Sequence, residues 1–263
     1  MTLSKTELDD LRRAKQILEN PGLAAKLSAL AGSPVEKGMK LLPKRWQKGV
    51  HSATEKALMK ALDIAVRSMG EKRLSTSSSD KLHKLAVAAS GAIGGAFGIA
   101  ALSIELPVST GLILRSIADI AASEGENPQF IETKLACLTV FALGSPKDSR
   151  DDATESGYFA ARSALASAVT EASKHLAQKG LAKGTSPALV RLVGLISARF
   201  GIVVSEKTAA QFIPVLGAAG GALINTIFIG HYQDMARGHF IVRRLEKIHG
   251  AEPVRLAYEK LGR

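Results

Sequence analysis

The chain has little of what stabilises secreted or β-sheet proteins. Of its 263 residues only one is a cysteine, Cys137, so an internal disulfide cannot form and a reducing compartment is expected. Aromatic residues make up 5% of the chain. Alternating apolar and polar segments joined by Asn-Gly or Asp-Gly turns are missing, which argues against hairpins. Alanine and leucine, which favour helices, are abundant. The sequence predicts an all-α fold.

Short motifs of common enzymes and metal sites are also missing. There is no G-x-S-x-G elbow and no phosphate-binding G-x-x-x-x-G-K-[ST] loop, and the six histidines lack metal-ligand spacing. We therefore expect no catalytic residue, no cofactor and no metal. The first residues, MTLSKTELDDLRRAKQ, lack the apolar stretch of a signal peptide. A cytoplasmic location follows, with peripheral attachment to the inner membrane left open.

Positive charge is in excess and unevenly distributed. The formal net charge is +11. Residues 1–84 carry 17 lysines and arginines against 9 acidic residues, residues 85–184 carry 8 against 10, and residues 185–263 carry 10 against 5. Two basic ends around a nearly neutral centre indicate an anionic partner, which could be a lipid surface, nucleic acid or an acidic protein. Solubility alone would also explain the excess.

Capping residues, prolines and glycines divide the chain into predicted helices. Ser4 and Glu7 form a capping box ahead of a helix near 5–20, and a turn is expected at Glu105-Leu106-Pro107. Further helices are predicted to begin at Pro128, Pro187, Pro214 and Pro253. We divide the chain into a basic N-terminal helical arm (1–56), a main all-α domain (57–250) and a short C-terminal helix (251–263).

Two segments combine glycine and alanine without charge. Residues 85–104 would span about 30 Å as a helix, but small residues make them too weakly apolar for a stable membrane span. Glycines spaced four apart leave a helix face without bulk, so that another helix can approach closely. We predict two central helices packed through these faces, with amphitropic contact to lipid as a further possibility. The glycines are Gly91, Gly94, Gly95, Gly98, Gly217 and Gly221.

Four polar residues lie in or next to these apolar segments. Arg115 and Asp119 are one helical turn apart, Glu105 precedes their helix, and Asn225 lies on the later glycine-rich helix. Because buried polar groups need partners, we predict that the four satisfy one another in part. The cluster could specify the core, bind a ligand or headgroup, or act as an acid–base site.

A basic stretch, KGMKLLPKRWQKGVH, occupies residues 37–51. Cations around leucines and one tryptophan are typical of an interfacial membrane anchor, although an ordinary solvated helix has the same pattern. A second basic segment lies near the C-terminal end of the Pro214 helix. The predicted membrane or anion contacts are Lys40, Lys44, Arg45, Trp46, Lys48, Arg243 and Arg244.

Three stretches together resemble the EcsC family of bacterial proteins. They are AVAASGAIGGAFGIAALSIELPVSTGLILRSIADIAASEGENP, ETKLACLTVFALGSPKD and FIPVLGAAGGALINTIFIGHYQDMARGHFIVRRLEK. The resemblance covers roughly residues 57–247. It implies a helical accessory protein of a kind linked to an ABC transporter and protein secretion. It supplies no catalytic residues.

The favoured interpretation is a non-enzymatic, membrane-associated (amphitropic) accessory protein that binds anionic lipid or a membrane protein partner. One alternative is a hydrolase using Glu105, Arg115 and Asp119. Another is a nucleic-acid-binding protein, which the charge allows but which the scarce aromatic residues and the lack of a known binding motif disfavour. The sequence gives no oligomeric state.

Overall fold

The computed structural model describes residues 3–19, 22–31, 44–69, 98–145, 157–181, 186–211 and 217–261. Within these ranges the fold is all-α, as predicted, with nine α-helices, one 3₁₀ turn and no strand. The helices are α1 (Lys5–Leu18), α2 (Leu23–Ala31), α3 (Lys44–Ser68), α4 (Gly98–Ser123), α5 (Ile131–Thr139), α6 (Gly157–Lys179), α7 (Pro187–Gln211), α8 (Gly217–His249) and α9 (Ala251–Lys260).

Local signals set several helix ends where they were expected. The Ser4 hydroxyl accepts a hydrogen bond from the Glu7 backbone N–H at 3.3 Å, and the Glu7 carboxylate accepts one from the Ser4 backbone N–H at 2.7 Å. This reciprocal capping box begins α1. Helix α6 ends before Gly180, whose φ of 59° lies in the left-handed region. Helix α7 begins at Pro187.

The predicted turn at Glu105-Leu106-Pro107 is wrong. Helix α4 runs without interruption through Pro107, which lies ten residues into it. Proline removes one helical hydrogen bond and crowds the preceding turn. Here both sides of the proline are held by packing, because Leu106, Ile113 and Ile117 are fully buried. Tertiary contacts therefore override the local cost, and Glu105 belongs to the helix rather than preceding it.

The helix predicted from Pro128 begins three residues later, at Ile131. The side chain of Asn127 accepts a hydrogen bond from the backbone N–H of Gln129 at 2.9 Å. This local Asx turn satisfies a backbone donor and diverts the chain before the helix starts. A 3₁₀ turn, Val140–Ala142, follows α5.

The proposed boundary at residue 56 is also wrong, because it falls inside the continuous helix α3. The N-terminal helices belong to the same hydrophobic core as the rest. Leu11, Leu23 and Leu27 are fully buried in it, and α1 lies along α8. Gly250 (φ 89°) separates α8 from α9.

Helices α4 and α8 pack against each other near the centre of the fold. Polar bridges at Glu105–Asn225 and Ser116–Gln233 show that the two helices run in the same general direction. Of the predicted packing glycines, Gly221 is buried, whereas Gly98 and Gly217 begin α4 and α8. Gly91, Gly94 and Gly95 lie outside the described residues.

Candidate functional site

A buried ion pair joins α4 to α7. The Lys207 ammonium donates a hydrogen bond to Glu105 Oε1 at 2.7 Å, and the two side chains are 0% and 6% exposed. The Asn225 side-chain N–H of α8 donates to the same oxygen at 3.1 Å. The Glu105 carboxylate therefore accepts one hydrogen bond from each of two neighbouring helices. We call Glu105, Lys207 and Asn225 the central triad.

The ring of Phe228 completes the surroundings of Lys207. Its centroid lies 4.8 Å from the ammonium nitrogen, within the range of a cation–π contact. Burial lowers the pKa of Lys207, and the attraction of Glu105 opposes part of that shift. The ammonium is thus held by one carboxylate and one aromatic face, in a place where an unpaired charge would be costly.

The Glu105 and Lys207 side chains of the central triad are closed to solvent. A catalytic carboxylate must reach a substrate proton directly or through one water, and Glu105 is instead occupied by two intramolecular donors. The arrangement is suited to fixing the register of α4, α7 and α8. This is the core-specifying role that buried ion pairs have in some proteins.

The four residues predicted to form one polar network do not gather in one place. Glu105 and Asn225 meet, but Arg115 is exposed. Asp119 is buried and lies 14 residues beyond Glu105 in the same helix, which is about 21 Å along its axis. None of the described ion pairs joins Arg115 to Asp119. A single acid–base cluster of Glu105, Arg115 and Asp119 is therefore excluded by helix geometry.

Sequence reasoning missed Lys207, which lies 102 positions from Glu105. A signal was present, because Glu206-Lys207 interrupts the otherwise apolar end of α7, and charges in such a segment need buried partners. Glu206 is buried as well.

A second polar chain links α6 to the later part of α8. Glu246 receives two hydrogen bonds from the Arg162 guanidinium, at 2.7 and 2.9 Å. Arg162 also donates to the Tyr158 hydroxyl at 3.2 Å, and that hydroxyl lies 3.0 Å from His239 Nδ1. Burial lowers the pKa of His239, so its imidazole ring is neutral in this series of contacts. The series Glu246–Arg162–Tyr158–His239 joins two helices through the buried Tyr158 and His239 and the partly buried Arg162 and Glu246.

His231 packs directly against the loop that follows α5. A Cβ placed on Gly144 would lie 2.6 Å from the imidazole Nε2, so only glycine fits there. Burial lowers the pKa of His231 to about 3. Gly144 also has a positive φ of 71°. A side chain at this position would therefore both collide with His231 and strain the backbone.

The two arginines of the second predicted anion contact form ion pairs with carboxylates of the same chain. Arg243 pairs with Glu126 at 3.0 Å. Arg244 pairs with Asp10 at 2.6 Å and with Glu124 at 3.0 Å. Carboxylates of α1 and of the α4–α5 connection therefore pair with both guanidinium groups, and the prediction that Arg243 and Arg244 contact a membrane or an anion stays a prediction.

The first predicted basic segment is described in part. Lys40 lies outside the described residues, and Lys44, Arg45 and Trp46 form the first turn of α3, where only the backbone is described. Lys48 is exposed. Among the described residues, no group of three or more histidine, cysteine or acidic side chains could hold a metal ion.

One described helix, α7, is long and apolar enough over Pro187–Ala210 to cross a membrane by length and composition. Half of its most apolar window is buried in the fold. Arg199 and Lys207 are also buried within the fold, and a core helix passes the same test.

Comparison with known families gives a match to the EcsC protein family over residues 5–245. The chain belongs to the EcsC protein family. The match begins in α1 and ends in α8, so it includes the N-terminal helices that sequence resemblance alone left out. No match was found among curated proteins or among solved structures.

Proposed function

We propose that this EcsC family protein is a non-enzymatic helical protein that associates peripherally with an anionic membrane surface. It would work from the cytoplasmic side and bind lipid headgroups directly or through a membrane protein partner. The proposal rests on where the charges lie. The formal net charge of the chain is +11, and buried Lys207 is paired with Glu105, whereas other cations of the described residues, such as Lys48, Lys56 and Lys60, are exposed.

Surface docking fits the fold better than insertion. Helix α7 contributes Phe200, Val203 and Lys207 to the interior, so extracting it would break the central triad and the aromatic core. A cationic surface needs no such rearrangement, since each lysine or arginine near an anionic leaflet contributes about 1 kcal/mol to binding. The protein would therefore attach with its helical core intact.

A hydrolase built on Glu105, Arg115 and Asp119 receives no support from the site geometry. Glu105 is closed and Arg115 is exposed, and Asp119 lies about four helical turns from Glu105.

Vesicle co-sedimentation tests the proposal. We expect the protein to pellet with phosphatidylglycerol-containing vesicles at low salt and to return to the supernatant at high salt, because screening weakens surface electrostatics. Neutral phosphatidylcholine vesicles are the control and should not bind it. The single tryptophan, Trp46, provides an intrinsic fluorescence signal for the same titration. Equal binding to both vesicle types, or binding to neither, would contradict the proposal.

A further inference from the structure

Helix α3 presents a cationic outer face. Its inner side is buried through small and apolar residues, among them Ala53, Ala57 and Ala61, and packs on α4 and α7. On the opposite side Lys48, Lys56 and Lys60 are exposed, and none of them takes part in a described ion pair. We propose that this face, called the α3 lysine face, is the surface that contacts anionic lipid headgroups. The inference rests on the proposed function and names its contact site.

The three lysines form a band of positive charge on the outer side of α3. Lys56 and Lys60 are one turn apart, and Lys48 lies about two turns before Lys56 and about 80° around the helix from it, so the band extends about 18 Å along the helix. Like charges at positions i and i+4 destabilise a helix. An anionic surface placed against them would relieve that repulsion.

The carboxylates on this side of α3 are engaged elsewhere. Glu55 Oε1 lies 3.3 Å from His51 Nε2, and Asp63 accepts a hydrogen bond from Arg67. None of the described ion pairs joins either carboxylate to Lys48, Lys56 or Lys60.

The outer side of α3 also has a shallow, open depression. It has a volume of about 580 Å³ and is lined by Ser52, Glu55, Lys56, Met59, Lys60 and Asp63, so two carboxylates lie beside the two lysines. Met59 is half-buried and adds an apolar side chain to this lining. A phosphate could be paired by the lysines while acyl or glycerol carbons contact the thioether.

Several exposed cations elsewhere on the described surface are paired or lie apart, although Lys5, Arg12 and Arg13 are also exposed on α1, where Arg12 pairs with Asp9. Arg243 and Arg244 are held by carboxylates. Lys174 and Lys179 lie on α6 and Lys260 on α9, so these three do not form one line on one helix. Helix α3 also begins with Lys44, Arg45 and the only tryptophan of the chain. Tryptophan beside cations is typical of membrane interfaces, which favours a bilayer over an acidic protein as the occupant.

The test compares two triple variants of the full chain on anionic vesicles. Lys48→Gln, Lys56→Gln and Lys60→Gln together remove the α3 lysine face. Lys174→Gln, Lys179→Gln and Lys260→Gln remove the same charge from other exposed positions. Circular dichroism and urea unfolding of both variants verify that the fold is kept.

We expect the α3 variant to partition about 100-fold more weakly, since each lysine near an anionic leaflet is worth about a fivefold change. The control should lose much less, because charges beyond a Debye length of about 10 Å are screened. Wild-type binding with equal losses in both variants would overturn the α3 assignment while the proposed function stands. Failure of the wild type to bind any anionic vesicle would overturn both, and tight binding to an oligonucleotide alone would do the same.

Discussion

Lys207 and Glu105 form an ion pair at 2.7 Å although 102 positions separate them in the chain. The pair joins the C-terminal part of α7 to the first half of α4, and both side chains are buried. Because each charge depends on the other in this place, removing either one alone leaves an uncompensated buried charge.

Replacing Lys207 with methionine is expected to lower the free energy of unfolding by about 3–5 kcal/mol, because Glu105 would remain buried without its cation. The double variant Glu105→Leu and Lys207→Met should recover a large part of that loss, since no charge is left behind. Urea unfolding measures both. Lys174→Met, on the exposed side of α6, is the control and should change stability by less than about 0.5 kcal/mol. A double variant as unstable as the sum of its single variants would show that the pair is not coupled.

Acid should loosen the junction between α1 and α8. The contact of Glu7 Oε1 with His249 Nε2 at 2.8 Å, together with the capping bonds, lowers the pKa of Glu7 from 4.5 to about 2. Since the folded pKa is lower than the unfolded one, Glu7 contributes stability fully above about pH 4.5 and loses it as the pH falls toward 2. Wild type and Glu7→Gln should differ in urea unfolding at neutral pH and converge in acid. Glu259→Gln, in an exposed pair with Arg255 on α9, is the comparison and should show a smaller gap. A gap that stays constant with pH would refute the assignment.

Gly144→Ala should destabilise the protein by more than Gly180→Ala. Both glycines have positive φ, so alanine at either costs about 1–2 kcal/mol in backbone conformation. Only at Gly144 would the new methyl collide with His231, at 2.6 Å, whereas nothing lies within 4 Å of the same position at Gly180. Thermal unfolding of the two variants gives the difference. Equal losses would mean that the His231 ring moves aside at no cost.

Gly238→Ala tests how closely α1 lies on α8. A Cβ there would be 2.6 Å from Leu18 Cγ and 3.2 Å from the Ala14 carbonyl oxygen, so α1 would have to shift. Overpacking of this kind costs about 1–3 kcal/mol, and amide hydrogen exchange in α1 should speed up. Gly201→Ala in α7, with nothing within 4 Å, is the helical control and should be neutral or stabilising by up to about 1 kcal/mol. Unchanged exchange in α1 would contradict the close packing.

Local features of the fold were predictable from sequence, and long-range ones were not. Ser4 with Glu7, and Pro187, act within one turn of the chain, so spacing alone identified the starts of α1 and α7. The course of α4 through Pro107 depends on burial of Leu106 against other helices, which no local signal reports.

The residues of the candidate site likewise divide into those that the sequence indicated and those that it did not. Glu105 and Asn225 stood out as polar residues in apolar segments, and the structure brings them together. Lys207 belongs to a third helix, and its pairing depends on how α7 crosses the other two. The pairing of Arg244 with Asp10 likewise joins residues 234 positions apart, and no local pattern in the sequence indicates it.

The contact between α1 and the last helices has a consequence for the order of folding during synthesis. Lys15 donates hydrogen bonds to the carbonyls of Tyr258 and Leu261, at 2.9 and 2.7 Å. Helix α1 leaves the ribosome before its docking partners in α8 and α9, which are translated about 200 residues or more later. At a synthesis rate of about 5–20 residues per second, the apolar side of α1, which includes Leu11 and Leu18, stays unburied for roughly ten seconds or more. Nascent chains of this protein are therefore expected to carry an uncovered amphipathic helix, of the kind that chaperones bind, until α8 and α9 have been translated.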